Sequence, residues 1–125
     1  MATQSRKDAA VEFLTLVVSG DVRGAYERHV GGGFRHHNPY FPGDAVSLAK
    51  GMEESSHQFP NKVLEVKRIL EDGDLVAVHS RIRLSPDGPD YALIHIFQFE
   101  GARIVDSWEA SQPVPENCPN KNGMF

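Results

Sequence analysis

The chain has 125 residues, 40% hydrophobic, 24% charged and 9% aromatic; this length fits one domain with its own core and is too short for two. Against 17 Asp and Glu stand 13 Lys and Arg, a net charge of −4, the reverse of the basic excess a nucleic-acid binder needs. Apolar runs such as Phe13 to Val18 fall far below the roughly 20 residues that span a bilayer. The stretch Met1 to Asp8 shows no signal-peptide apolar block or cleavage site, and the single cysteine, Cys118, forbids an internal disulfide or thiolate cluster. One cytoplasmic domain over residues 1–125 is expected, with neither nucleic acid nor membrane as a partner.

The first sixty residues carry helical spacing. Ala10, Phe13, Leu14 and Val17 recur at i, i+3, i+4 and i+7, and Ser5 with Asp8 resembles a capping box. Ser19-Gly20 ends this helix, and Asp21 caps a short second one whose apolar side is Val22, Ala25, Tyr26 and His29/Val30. Gly31-Gly32-Gly33 is expected to break it. A third helix starts at Gly43-Asp44 and carries Ala45, Leu48, Ala49 and Met52 until Pro60 forbids continuation.

After Pro60 the period falls to 2. Strands are predicted over 62–71, 75–84, 91–99 and 103–112, joined at Asp72-Gly73, Pro86-Asp87-Gly88 and Gly101-Ala102. Helices followed by an antiparallel meander give an α+β domain. The second and third strands are apolar on both faces, whereas a sheet with one wet face alternates. A second subunit is the expected cover, so a homodimer built sheet to sheet is predicted.

Polar residues in this apolar setting are the candidate site. If Pro86-Asp87-Gly88 is a three-residue turn, His79 lies opposite His95, on a face shared with Phe97 and Phe99. Two imidazoles there could donate and accept a proton near neutral pH, or simply be core histidines satisfied by the backbone. In Phe34-Arg35-His36-His37-Asn38-Pro39 the extended chain points His36 and His37 to opposite sides, with Asn38 available to orient a neighbour or to cap its own loop. The last strand carries Trp108, Glu109 and Gln112. A plain two-residue turn pairs His95 with Trp108 and sends Glu109 to the reverse face; a single β-bulge brings Glu109 to His95 instead. There Glu109 would be a general acid/base whose pKa rises in an apolar cleft; otherwise it is a surface carboxylate. No metal site is expected, because adjacent His36 and His37 diverge, and no phosphate loop or nucleophile elbow occurs.

His37-Asn38-Pro39, Gly73-Asp74-Leu75-Val76-Ala77-Val78-His79, Ile104 to Gln112 with Pro113-Val114-Pro115, and Asn122-Gly123-Met124-Phe125 give a sequence that resembles the NTF2-like superfamily. Within it the chain is similar to the SnoaL-like polyketide cyclases, in the branch labelled predicted aldol-condensation enzymes. The resemblance covers nearly the whole chain. It implies a cone-shaped barrel, three helices packed on a curved, mainly antiparallel sheet, enclosing a deep apolar pocket. In the polyketide cyclases a His on the third meander strand and an Asp on the fourth form the proposed acid/base pair. His95 and Glu109 match those positions, with Glu in place of Asp. Ketosteroid isomerases carry a carboxylic acid where His95 stands, which argues against steroid isomerisation.

The expectation is a cofactor-free enzyme acting on an apolar carbonyl compound, by intramolecular aldol closure or isomerisation. His95, Glu109 and His37 are the catalytic candidates; Asn38, His79, Phe97, Trp108 and Gln112 are the ligand-binding candidates. The alternative is a non-catalytic ligand-binding or dimerisation module, since one fold hosts many functions.

Overall fold

The computed structural model describes residues 4–125; Met1 to Thr3, part of the N-terminal stretch read above, lie outside the described residues. Each helix begins where a side-chain oxygen can take an otherwise orphaned amide. Ser5 Oγ accepts from the Asp8 N–H at 3.1 Å to open α1, Arg6–Ser19. Asp21 accepts from Gly24 at 3.0 Å to open α2, Val22–His29, and Asp44 accepts from Ser47 at 2.9 Å to open α3, Ala45–Gln58. Gly20, at φ 100°, lets the chain turn back on the last carbonyls of α1, a conformation that favours glycine. α1 buries Ala10, Phe13, Leu14 and Val17, and α2 buries Val22, Ala25 and His29. α3 sits more loosely: Gly51 is its one buried residue, with Leu48, Ala49 and Met52 half-buried against the core.

The strands are β1 (Val30–His36), β2 (Val63–Asp72), β3 (Leu75–Arg83), β4 (Asp90–Glu100) and β5 (Arg103–Pro113). They form one mixed sheet in the order β1-β5-β4-β3-β2, with β1 parallel to β5 and the rest an antiparallel meander. β1 and β2 are the two edges, so the expected barrel is instead an open sheet. Nor do the three glycines simply break structure. They belong to β1, which takes five residue steps from Val30 to Arg35 while β5 takes two from Ile104 to Asp106. A Cβ on Gly31 would stand 3.1 Å from the Arg103 Cβ, so the glycine permits this close approach.

The helices cover one face of the sheet, where Val76, Val78, Phe97, Phe99 and Ile104 meet Phe13, Leu14 and Val17. Two local irregularities decide which other residues share that inner face. The β3–β4 turn uses four residues, Ser85 to Gly88, with the Gly88 N–H donating to the Ser85 carbonyl at 2.9 Å. Arg83 therefore pairs with Asp90, His95 lies opposite Val78, and His79 lies opposite Ile94. The expected His79–His95 pairing is off by one residue, which reverses the face of one partner. In β5, Phe99 pairs with Ile104 but Gln98 pairs with Asp106, leaving Val105 as an extra residue. That bulge sets Glu109 opposite His95 and Trp108 opposite Ile96.

Candidate functional site

A cavity of about 60 Å³ opens between the helices and the inner face of the sheet. Its walls are apolar side chains from every layer, including Phe13 and Val17 of α1, Leu48 and Met52 of α3, Phe34 of β1 and Phe97 of β4. The polar groups reaching it are Tyr26, His36, Asn38, His95, Ser107 and Glu109.

Glu109 is the hub. Its Oε2 accepts from His95 Nε2 at 2.8 Å, and its Oε1 accepts from Asn38 Nδ2 at 2.7 Å. Burial pushes the Glu109 carboxyl up, but the hydrogen bonds from His95 and the Asn38 amide outweigh it and hold the carboxyl below its ordinary value. The expectation of a raised pKa is thus reversed: Glu109 is kept ionised. Its side chain is 31% exposed, while that of His95 is 12% exposed. The His95 ring stacks on Phe97, with centroids 5.6 Å apart and planes at 6°. With Nε2–H given to the carboxylate, His95 Nδ1 is left as an acceptor, and it is buried without a hydrogen-bond partner among the described residues.

The segment after β1 holds Asn38 rigidly. His36, 5% exposed, receives the Asn38 backbone N–H on Nδ1 at 3.1 Å and donates from Nε2 to the Pro42 carbonyl at 2.6 Å. A neutral ring with its proton on Nε2 satisfies both contacts. The Asn38 Oδ1 accepts the Tyr40 N–H at 3.0 Å, so its amide can turn only its NH₂ toward Glu109. This is a loop asparagine capping its own backbone and orienting the carboxylate at once.

Four of the eight sequence candidates meet here: His95, Glu109, Asn38 and Phe97. The other four lie on the outer face of the sheet. His37, the neighbour of the inward His36, stacks on Trp108 with centroids 5.0 Å apart and planes at 1°, and bonds Asp106 Oδ1 at 2.9 Å. Asp106, 3% exposed, also receives Arg35 Nη2 at 2.8 Å. His79 packs on the Phe125 ring and accepts from Arg68 Nη1. Gln112 pairs with Ala92, on the same side as Trp108, and is exposed. The catalytic place expected for His37, and the ligand contacts expected for His79, Trp108 and Gln112, are therefore not at the cavity. Strand alternation, one turn and one bulge account for all four.

The residues that sequence reasoning passed over are His36 and Tyr26. His36 follows Phe34 by two, which puts both on one face of a strand; Tyr26 sits on the apolar stripe of α2, four residues after Val22. Among the described residues no group of three His, Cys, Asp or Glu side chains is placed to hold a metal ion, because His36 and His95 face inward while His37 and His79 face outward. No helix among them is long and apolar enough to cross a membrane.

The SnoaL-like domain profile matches residues 10–107. The chain belongs to the SnoaL-like family. No curated protein sequence matches it significantly. Among solved structures, it is similar to AclR of Streptomyces galilaeus, provisionally assigned as a hydroxylase, with 22% identity and a TM-score of 0.74 over 86% of this chain and 88% of that one. It is similar to wild-type IdmH of Streptomyces antibioticus, provisionally assigned as a polyketide cyclase, with 18% identity and a TM-score of 0.73 over 87% and 93%. An NTF2-like protein of unknown function from Cytophaga hutchinsonii gives 18% identity and a TM-score of 0.72 over 90% and 95%. At these identities the likeness is one of fold: this SnoaL-like domain has the NTF2-like architecture.

Proposed function

We propose that this SnoaL-like protein is a cofactor-independent acid/base enzyme acting on an apolar carbonyl compound with an acidic α-hydrogen. The observation that carries the reading is the His95–Glu109 contact of 2.8 Å at the wall of an apolar cavity. Both Glu109 oxygens are engaged, so the carboxylate orients and supports the imidazole, and His95 Nδ1 is the atom free to take a proton. His95 Nδ1 removes the α-proton, and the C–H electron pair forms the enolate. The resulting imidazolium, bonded to ionised Glu109, keeps its charge compensated. The enolate carbon then attacks a second carbonyl of the same molecule, as in an aldol closure, and the alkoxide formed takes the proton from the His95 imidazolium; in a conjugated dienolate the γ-carbon takes that proton instead. Asn38 holds the carboxylate, and Phe97 backs the imidazole and lines the wall.

Solvent exchange of the α-hydrogens of 2-butanone in D₂O, followed by NMR, tests this. The wild-type protein accelerates exchange, His95→Ala abolishes the acceleration, and Glu109→Gln cuts it by about 10²-fold, the usual worth of a positioned acid/base partner. Unchanged exchange in both variants would falsify the assignment. Binding without turnover is the second reading. The cavity of about 60 Å³ favours it, being small beside the roughly 300–1,000 Å³ of most ligand pockets; a bound ketone whose exchange is never accelerated would establish it.

The same proposal includes a homodimer. Leu75, Ile94, Ile96 and Trp108 of the outer face are 36–48% exposed, an apolar strip across three adjacent strands suited to a second copy of the sheet. A cytoplasmic setting fits the sole cysteine, Cys118, which is free.

A further inference from the structure

Two buried polar atoms of cavity-lining residues have no hydrogen-bond partner among the described residues: His95 Nδ1 and the Tyr26 hydroxyl. A buried orphan of this kind costs about 1–3 kcal/mol, so each invites an account. The acid/base reading uses the first. The second lies on α2, its ring held edge-on by Phe34 at 6.2 Å and tilted on Phe13 at 5.5 Å, both cavity walls. Burial, reinforced by the Glu109 charge, pushes the Tyr26 hydroxyl well above its ordinary range and keeps it protonated. It is thus a protonated donor on a residue that lines an apolar space, and no arginine or lysine is among the lining residues.

We propose that the Tyr26 hydroxyl is a catalytic hydrogen-bond donor that binds the carbonyl oxygen of the ligand and the enolate oxygen formed from it. The inference rests on the acid/base reading for its second half only. One donor and one base on residues lining a single apolar cavity match the two ends of an enolisable ketone, the oxygen going to Tyr26 and the α-hydrogen to His95 Nδ1. As the C–H pair becomes the C=C bond, the carbonyl π pair moves onto oxygen, and the Tyr26 O–H shortens its hydrogen bond to that oxygen without giving up its proton. With ionised Glu109 in the wall and no cation to offset it, the cavity selects neutral ketones and aldehydes over carboxylate-bearing substrates.

The test uses 2-butanone labelled with ¹³C at the carbonyl, against the wild-type protein, Tyr26→Phe and His95→Ala. Tyr26→Phe keeps the ring between Phe13 and Phe34 and removes only the donor. In wild type the bound carbonyl carbon shifts downfield; in Tyr26→Phe that shift is lost and α-hydrogen exchange falls by about 10²-fold, as for removal of one oxyanion donor. In His95→Ala the shift persists while exchange is lost. A downfield shift retained in Tyr26→Phe, or none in wild type, overturns the inference. A Tyr26-dependent shift with no exchange in wild type upholds the donor and sinks the acid/base reading, so the two fail separately.

Discussion

Asn38 Nδ2 lies 2.7 Å from Glu109 Oε1 across 71 residues of sequence, joining the loop after β1 to the last strand of the sheet. With His95 on the other oxygen, this contact keeps a largely dry carboxyl ionised. Asn38→Ala should therefore raise the Glu109 pKa, because one of the two hydrogen bonds opposing burial is then gone. Asn38→Asp should raise it further by placing a second carboxylate beside the first. Side-chain carboxyl ¹³C shifts followed through an acid titration report both; a Glu109 midpoint unmoved in both variants would show that Asn38 does no electrostatic service.

Acid sensitivity should concentrate on carboxylates held by cations. Arg83, with Arg81 beside it, lowers Asp90 from an ordinary 3.8 to about 2. A depressed folded-state pKa means that the unfolded chain takes up the proton first, so the contribution is complete above about pH 4 and lost as pH falls toward 2. Glu109, lowered in the same sense, acts in the same direction. The stability gap between wild type and Asp90→Asn, measured by urea unfolding, should be constant from neutrality to about pH 4 and narrow below it. A gap that widens on acidification would contradict the ion-pair account.

Trp108 is the chain's only tryptophan and lies on the outer face, 36% exposed beside His37. If two copies pair through this face, its emission should shift to the blue with rising protein concentration, in step with a doubling of mass in sedimentation. Ile96→Lys should keep the protein monomeric and the emission red. A wild-type monomer at about 100 μM, far above the Kd expected of a stable interface, would rule out the sheet-to-sheet pairing.

Ser80 is fully buried on the inner face, and its Oγ has no partner among the described residues. Replacing it by Ala removes an unsatisfied hydroxyl with little change of volume. Ser80→Ala should raise stability by about 1 kcal/mol, read as a higher denaturant midpoint with unchanged slope. A lower midpoint would mean that the hydroxyl is bonded in solution.

The helices were legible in the sequence because their determinants are local. Ser5, Asp21 and Asp44 each cap a helix within three residues of themselves, and Gly20 and Pro60 close the first and third from outside. The meander was legible as four strands for the same reason. Its register was not, because one residue in a turn or a bulge changes which side chains share a face while leaving the local pattern unaltered. The four-residue turn at Ser85 to Gly88 moved His79 away from His95, and the bulge at Val105 brought Glu109 to it. β1 escaped notice because three glycines carry no strand signature; its hydrogen-bonding partner, β5, comes some seventy residues later. The inward side of that strand was nonetheless written in Phe34, two residues before His36.

Val105 bears on more than the shape of β5. Were it paired in the ladder instead of set aside as the extra residue, the downstream half of the strand would turn over like a page: Trp108 would come opposite His95, and Glu109 would stand on the outer face beside Ile94. Which side chain meets the imidazole thus hangs on a count of residues being odd or even.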